Sequence, residues 1–153
     1  MDSTLINAIV NATLNVLRTM ASVSSWAGKP YLKVDDVARG DVTGVIGMTG
    51  EANGTISLTF DEASILNIVS NLFGEEISDL NRDVSDAVGE LTNMISGQAR
   101  RELEEAGRLF KGAVPSVITG KNHRISHFTR GPIIAIPFKT EAGQFTIEVC
   151  LEP

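Results

Sequence analysis

Glu90 and Asn93 stand three residues apart in this 153-residue chain, in a stretch that reads as one long helix. At that spacing an anionic carboxylate and a neutral carboxamide stand together, one helical turn apart. Val84, Val88, Leu91, Ile95, Ala99, Leu103 and Ala106 recur at steps of three and four and form one apolar face. Asp83 can cap the start, Asp86 is an acid in the first turn, and Gly107 can end the helix. Glu90 and Asn93 fall on the other, solvent-facing side, where Gly89, Asn93 and Gly97 make a row at steps of four. A glycine inside a helix costs roughly 1 kcal/mol relative to alanine. Two of them beside one polar pair leave two readings. The face is an ordinary solvated one, or something approaches it so closely that even a methyl would obstruct, with Glu90 and Asn93 projecting towards it.

The other reactive residue types form no comparable pattern. His123 and His127 would share a helix face like zinc ligands, but Gly120, Asn122, Gly131 and Pro132 around them predict loop and strand. No Cys pair or H-E-x-x-H accompanies them, so they read as surface histidines and no metal site is expected. Cys150, the sole cysteine, lies near the end of a predicted strand and reads as packing. It has no partner for an internal disulfide, which suits a reducing cytosol. The glycines form neither GxGxxG nor a P-loop, so no nucleotide site is expected.

Charge narrows the partners. The net charge of −6 argues against nucleic acid, which requires a basic footprint. Residues 1–80 hold four Lys/Arg against ten Asp/Glu, whereas residues 81–153 hold nine of each. The C-terminal half is therefore the better candidate to meet an acidic surface. Arg100, Arg101, Arg108 and Lys111 are its most basic stretch, read either as a solvated helix end or as a docking patch for an acidic protein.

The elements that must position these residues can be read in order. The length and a 42% hydrophobic, 21% charged composition predict one soluble domain over residues 1–153. The N-terminus lacks a basic n-region and no apolar run approaches membrane-spanning length, so a cytoplasmic protein is expected. Asp2-Ser3-Thr4 caps a first helix to about Met20, with Leu5, Ile9, Ala12, Val16 and Met20 on its buried side. After Gly28-Lys29-Pro30 comes a short extended piece, Tyr31 to Val37. Thr43 to Thr49 and Thr55 to Phe60 form a hairpin turned at residues 50–54, by Asn53-Gly54 especially. A second helix runs from Ala63 to Phe73 and stops at Gly74; an acidic connector, 75–82, leads to the long helix. Strands are predicted over Val114–Thr119, Arg124–Phe128, Ile133–Lys139 and Gln144–Glu152, with turns at residues 120–122, 130–132 and 140–143.

A faint repeat runs through this order. Asn7-Ala-Ile9 resembles Asp86-Ala-Val88 at a spacing of 79, and the turn at 49–54 resembles that at 139–143 at a spacing of 90. Two copies of a helix–hairpin unit folded face to face are expected. Asn11 then falls on Glu90 and Leu14 on Asn93, so the polar pair occurs once. The fold class is α+β: two long helices and one shorter helix on a mostly antiparallel sheet of about six strands.

Glu90-Leu-Thr-Asn93-Met, preceded by Ala87-Val-Gly89 and followed by Gly97, resembles the signature helix of the CheC/CheX/FliY chemotaxis phosphatases. Val114-Pro-Ser-Val-Ile-Thr-Gly120 is similar to the stretch that follows it in CheX, and the single polar pair resembles CheX more than CheC. The resemblance implies a phosphatase acting on the aspartyl phosphate of a CheY-like response regulator. Asn93 would orient the attacking water and Glu90 would pair with the regulator's lysine, with Gly89 and Gly97 letting its loops close over the helix; Arg100 and Arg101, on their charge, are the candidate partner-binding residues beside them. Mg2+ would belong to the regulator, and this chain would bring no cofactor of its own. Family members can dimerise through sheet edges, so a homodimer is a further implication. Two alternatives from other classes stand beside the enzyme: a module that grips a receiver domain without hydrolysing it, and a structural domain for which the pair is dispensable.

Overall fold

Asp2 opens the first helix as its side chain suits, accepting a hydrogen bond from Leu5 N at 3.0 Å. The computed structural model describes residues 2–125, 127 and 131–152. In order these form α1 (Ser3–Ala21), β1 (Ser25–Ala27), β2 (Tyr31–Lys33), β3 (Val42–Gly50), β4 (Gly54–Phe60), α2 (Glu62–Phe73), α3 (Arg82–Glu105), β5 (Phe110–Gly112), β6 (Ser116–Thr119), β7 (Ile133–Thr140) and β8 (Gln144–Leu151).

The eight strands make one antiparallel sheet in the order β1-β7-β8-β4-β3-β5, with β2 also on β7 and β6 also on β3. It is thus six rows wide, and each edge row is broken into two short strands. This reconciles the expected six strands with the observed eight. The registers repeat across the centre of the sheet. β1 pairs with residues 138–140 and β5 with residues 48–50; β2 pairs with 133–135 and β6 with 42–45. Both pairs of contacts are ninety residues apart along the hairpins, the spacing of the faint repeat. Each helix of the duplicated unit precedes edge pieces that pair with the other unit's hairpin.

One sheet face carries the core. Ile46, Ile56, Leu58, Phe60, Ile136, Phe138, Phe145 and Ile147 pack against the buried sides of the three helices. Phe145 lies between Phe60 and Phe138, with ring centroids 5.0 and 4.8 Å apart. On α1 the buried side ends at Ala21 rather than Met20, which is 50% exposed.

The other face differs from expectation. Strict alternation in β4 predicts a half-solvated strand, yet all seven of its residues are buried. Two loops cover its polar side: Ala38 N donates to His123 O, Ile125 N to Asp36 O and Asn122 N to Gly40 O. Of the expected strand at 124–128, Arg124, Ile125 and His127 become part of this cover. Arg124 makes only an isolated bridge to Val37, while Ser126 and Phe128 lie outside the described residues, as does Arg130 of the expected turn. The extended piece at 31–37 ends as a strand at Lys33 for the same reason. The β3–β4 turn places Gly50, at φ 123°, in the left-handed region rather than Asn53 or Gly54.

Candidate functional site

α3 is held from both ends and along its length. Its cap is Asn81, which accepts from Val84 N at 3.0 Å, and not Asp83, which sits in the first turn. Both residues suit a cap, and Asn81 takes the role because its backbone is still extended. At the other end Gly107, at φ 82°, closes a Schellman turn: Arg108 N donates to Leu103 O and Gly107 N to Glu104 O. Along one side Asn11 and Asn15 of α1 donate to Glu102 and Gln98, at 2.9 and 2.8 Å. Beneath, α3 approaches β3 so closely that a Cβ at Gly44 would collide with the Thr92 hydroxyl and press on Val88. Thr92 is itself fixed, its hydroxyl donating to Val88 O at 2.7 Å.

This platform presents Glu90 and Asn93 together, both exposed. Among the described residues, neither side chain has a hydrogen bond or an ion pair. Asn93 stands where two grooves meet. One, of about 520 Å³, lies between α3 and residues 113–117 and also touches Asp86, Gly89 and Glu90. The other, of about 310 Å³, runs past Gly97 to Arg100 and Arg101.

The fold does not require the flanking glycines. A Cβ at Gly89 would meet only Val117, at 3.6 Å, and one at Gly97 only the Arg100 guanidinium, at 3.7 Å. Both are ordinary contacts. Gly89→Ala and Gly97→Ala should therefore each stabilise the isolated chain, by about 0.5–1 kcal/mol in chemical denaturation, through helix propensity alone. A loss of stability in either variant would mean the fold itself needs that glycine.

The basic stretch divides. Arg108 is held by Asp2 and Glu51, each at 2.9 Å, and lies over Phe110, so it ties the helix end to α1 and the β3–β4 turn. Its guanidinium keeps the Asp2 carboxyl below its ordinary range. The Arg100 guanidinium lies against Gly112 of β5. Arg101 is exposed beside the second groove.

Residues 42–139 match the family model described as Chemotaxis phosphatase CheX, a span that includes all of α3. The chain belongs to the CheX family. Among solved structures, the chemotaxis protein CheX from Desulfovibrio desulfuricans is 53% identical, with a TM-score of 0.91 covering 97% of this chain and 99% of that one. The CheY-P phosphatase CheX of Thermotoga maritima is 28% identical over 138 residues, 90% of this chain and 88% of that protein. A CheX–CheY–BeF3–Mg2+ complex from Borrelia burgdorferi matches at 26% identity and a TM-score of 0.81, covering 97% of each chain. No helix of this CheX-family chain is long and apolar enough to cross a membrane, among the described residues.

The two histidines are not fully solvated in this CheX-family fold: His123 is half-buried, and the His127 side chain is only 4% exposed. The covering loops tuck both over the polar face of the sheet, where His123 Nε2 meets Thr43 Oγ1 at 2.6 Å and His127 Nδ1 meets Thr55 Oγ1 at 2.7 Å. His127 also reaches the buried Glu148 carboxylate at 3.3 Å, and Lys33 Nζ pairs with the same carboxylate at 2.7 Å. Burial alone would raise the Glu148 carboxyl, but His127 and Lys33 outweigh it and hold it below the ordinary carboxylate range. This cluster escaped sequence reasoning because its members are distant in the chain; its one sequence signal is the acid in an otherwise apolar strand, Ile147-Glu-Val-Cys150. Cys150 is buried, its thiol donating to Gly131 O at 3.4 Å.

Proposed function

We propose that this chain hydrolyses the aspartyl phosphate of a CheY-like response regulator, with Asn93 orienting the attacking water and Glu90 pairing with a regulator lysine. The observation that carries this reading is the unpartnered Glu90–Asn93 pair on a fixed helix face, flanked by two glycines the fold does not require. Family membership supports it, as does the relative solved with CheY, BeF3 and Mg2+. A fluoroberyllate has the tetrahedral shape and charge of a phosphoryl group, so that relative's partner stands in for a phosphorylated receiver.

The reaction asks little of this chain chemically. Water attacks phosphorus opposite the aspartyl oxygen, the P–O bond to the carboxylate breaks, and the carboxylate leaves as an anion without needing a proton. In a loose transition state the water needs positioning more than deprotonation. A carboxamide suits this task, because it accepts from and donates to water in a single protonation state. Glu90, one turn earlier, would fix the register of docking through its charge. Gly89 and Gly97 would let the regulator's loops close over the helix, and Arg100 and Arg101 would face its acidic surroundings. Magnesium in this scheme belongs to the regulator's own site.

The test is phosphate release from a phosphorylated CheY-like regulator of the same organism, with and without this chain. Acceleration supports the phosphatase reading. Binding of the phosphorylated form without acceleration replaces it with a receiver-binding module.

A further inference from the structure

The duplicated fold contains its own control for the site. On the β3 edge, residues 113–115 separate β5 from β6; on the β7 edge, residues 28–30 separate β1 from β2. The two interruptions are built alike. Ala113 N donates to Gly47 O at 2.9 Å, and Gly28 N donates to Pro137 O at 2.7 Å. Each ends in a proline, Pro115 or Pro30. The helices match as well, since Asp2 caps α1 as Asn81 caps α3. The tips differ. Val114 lines the groove with Glu90 and Asn93, whereas the residue at the corresponding position of the other interruption is Lys29.

Val114 is 87% exposed. A lone exposed valine is ordinary, but this one is held in place. The pairing of β5 on Met48–Gly50 fixes the chain before it, the pairing of β6 on Val42–Val45 fixes the chain after it, and Pro115 restricts the backbone between. It lines the same groove as Gly89, Glu90 and Asn93. The groove therefore has a polar wall on α3 and a rigid apolar wall on the bulge, with Val117 at its base.

We propose that Val114 is the apolar contact that seats a phosphorylated receiver domain against Glu90 and Asn93. This rests on the function proposed above. The occupant is the receiver loop beside the phosphorylated aspartate, presenting an apolar side chain to the bulge while the phosphoryl group meets Asn93. Because the contact is remote from phosphorus, it stabilises the bound complex and the transition state equally. It governs the concentration needed, and leaves the rate at saturation unchanged.

Two quantities test this: binding of the receiver domain in the presence of beryllofluoride and Mg2+, and phosphate release as a function of receiver concentration. Val114→Lys, which installs the residue of the other copy, should weaken binding and raise KM by about 10-fold while leaving kcat unchanged. Lys29→Val should change neither. The inference is overturned if Val114→Lys binds and turns over like wild type while Asn93→Ala abolishes release; the phosphatase reading then survives alone. If Val114→Lys weakens binding but Asn93→Ala retains full turnover, the docking contact stands and the role of Asn93 falls. If wild type binds no receiver domain, both fall.

Discussion

Asn93→Ala should slow phosphate release from the phosphorylated regulator on the order of 10²-fold, the usual consequence of losing one positioned transition-state donor. Its binding should remain near wild type. The reasoning is structural. Asn93 is exposed and makes no bond within the chain, so truncating it removes no support from α3. Its backbone is held by the Asn81 cap, the Schellman end and the Thr92–Gly44 approach, none of which involves the carboxamide. Alanine is also the best helix former. Any loss of rate in a folded variant would then report on chemistry rather than on stability.

The largest effect on stability is expected on the opposite side of the sheet. Lys33→Met should destabilise the chain by roughly 3–5 kcal/mol at neutral pH, because it leaves the Glu148 carboxylate buried without its cation. Lys33 and Glu148 are nearly inaccessible, with side chains 7% and 3% exposed. That loss is a large part of the total stability of a domain this size, about 5–15 kcal/mol. The pH dependence has a definite sign. In the wild type the Glu148 carboxyl is held below its ordinary value, so its contribution is present above pH 4.5 and lost as pH falls through the folded value. In Lys33→Met only His127 is left to oppose burial, so the carboxyl moves up from its wild-type value and its cost fades as acid neutralises it. The gap between variant and wild type in urea denaturation should therefore narrow on acidification. Glu148→Gln added to Lys33→Met should recover much of the loss, since the pair and not either residue is at stake. A Lys33→Met variant as stable as wild type at pH 7 would show that the cluster contributes nothing.

What could be read from the sequence follows from how local each signal is. Six of the seven apolar positions at helical spacing are buried in the long helix, the seventh, Ala106, being its exposed C-cap, so the outward face, and with it Glu90 and Asn93, could be located from the sequence. The hairpins were legible for the same reason, through alternation and turn residues. The edge strands β1 and β5 were not, because three residues cannot display a period of two. Pro115 was a signal passed over in reading a strand from Val114: it has no N–H for a ladder, and the observed strand begins just after it. The cover over β4 was also invisible. Alternation reports which residues share a face, not whether distant loops return to bury the second one. The histidines illustrate the cost, being loop residues in sequence and part of a closed polar layer in space.

The central claim is that Asn93 acts on the bound, phosphorylated regulator and does not merely help to hold it. A single-turnover measurement on the phosphorylated regulator, saturated with wild-type chain or with Asn93→Ala, addresses it most directly. The account predicts rapid phosphate loss with the wild type and loss near the regulator's own slow rate with the variant, although the complex is formed in both. Equal rates from the two saturated complexes would contradict it.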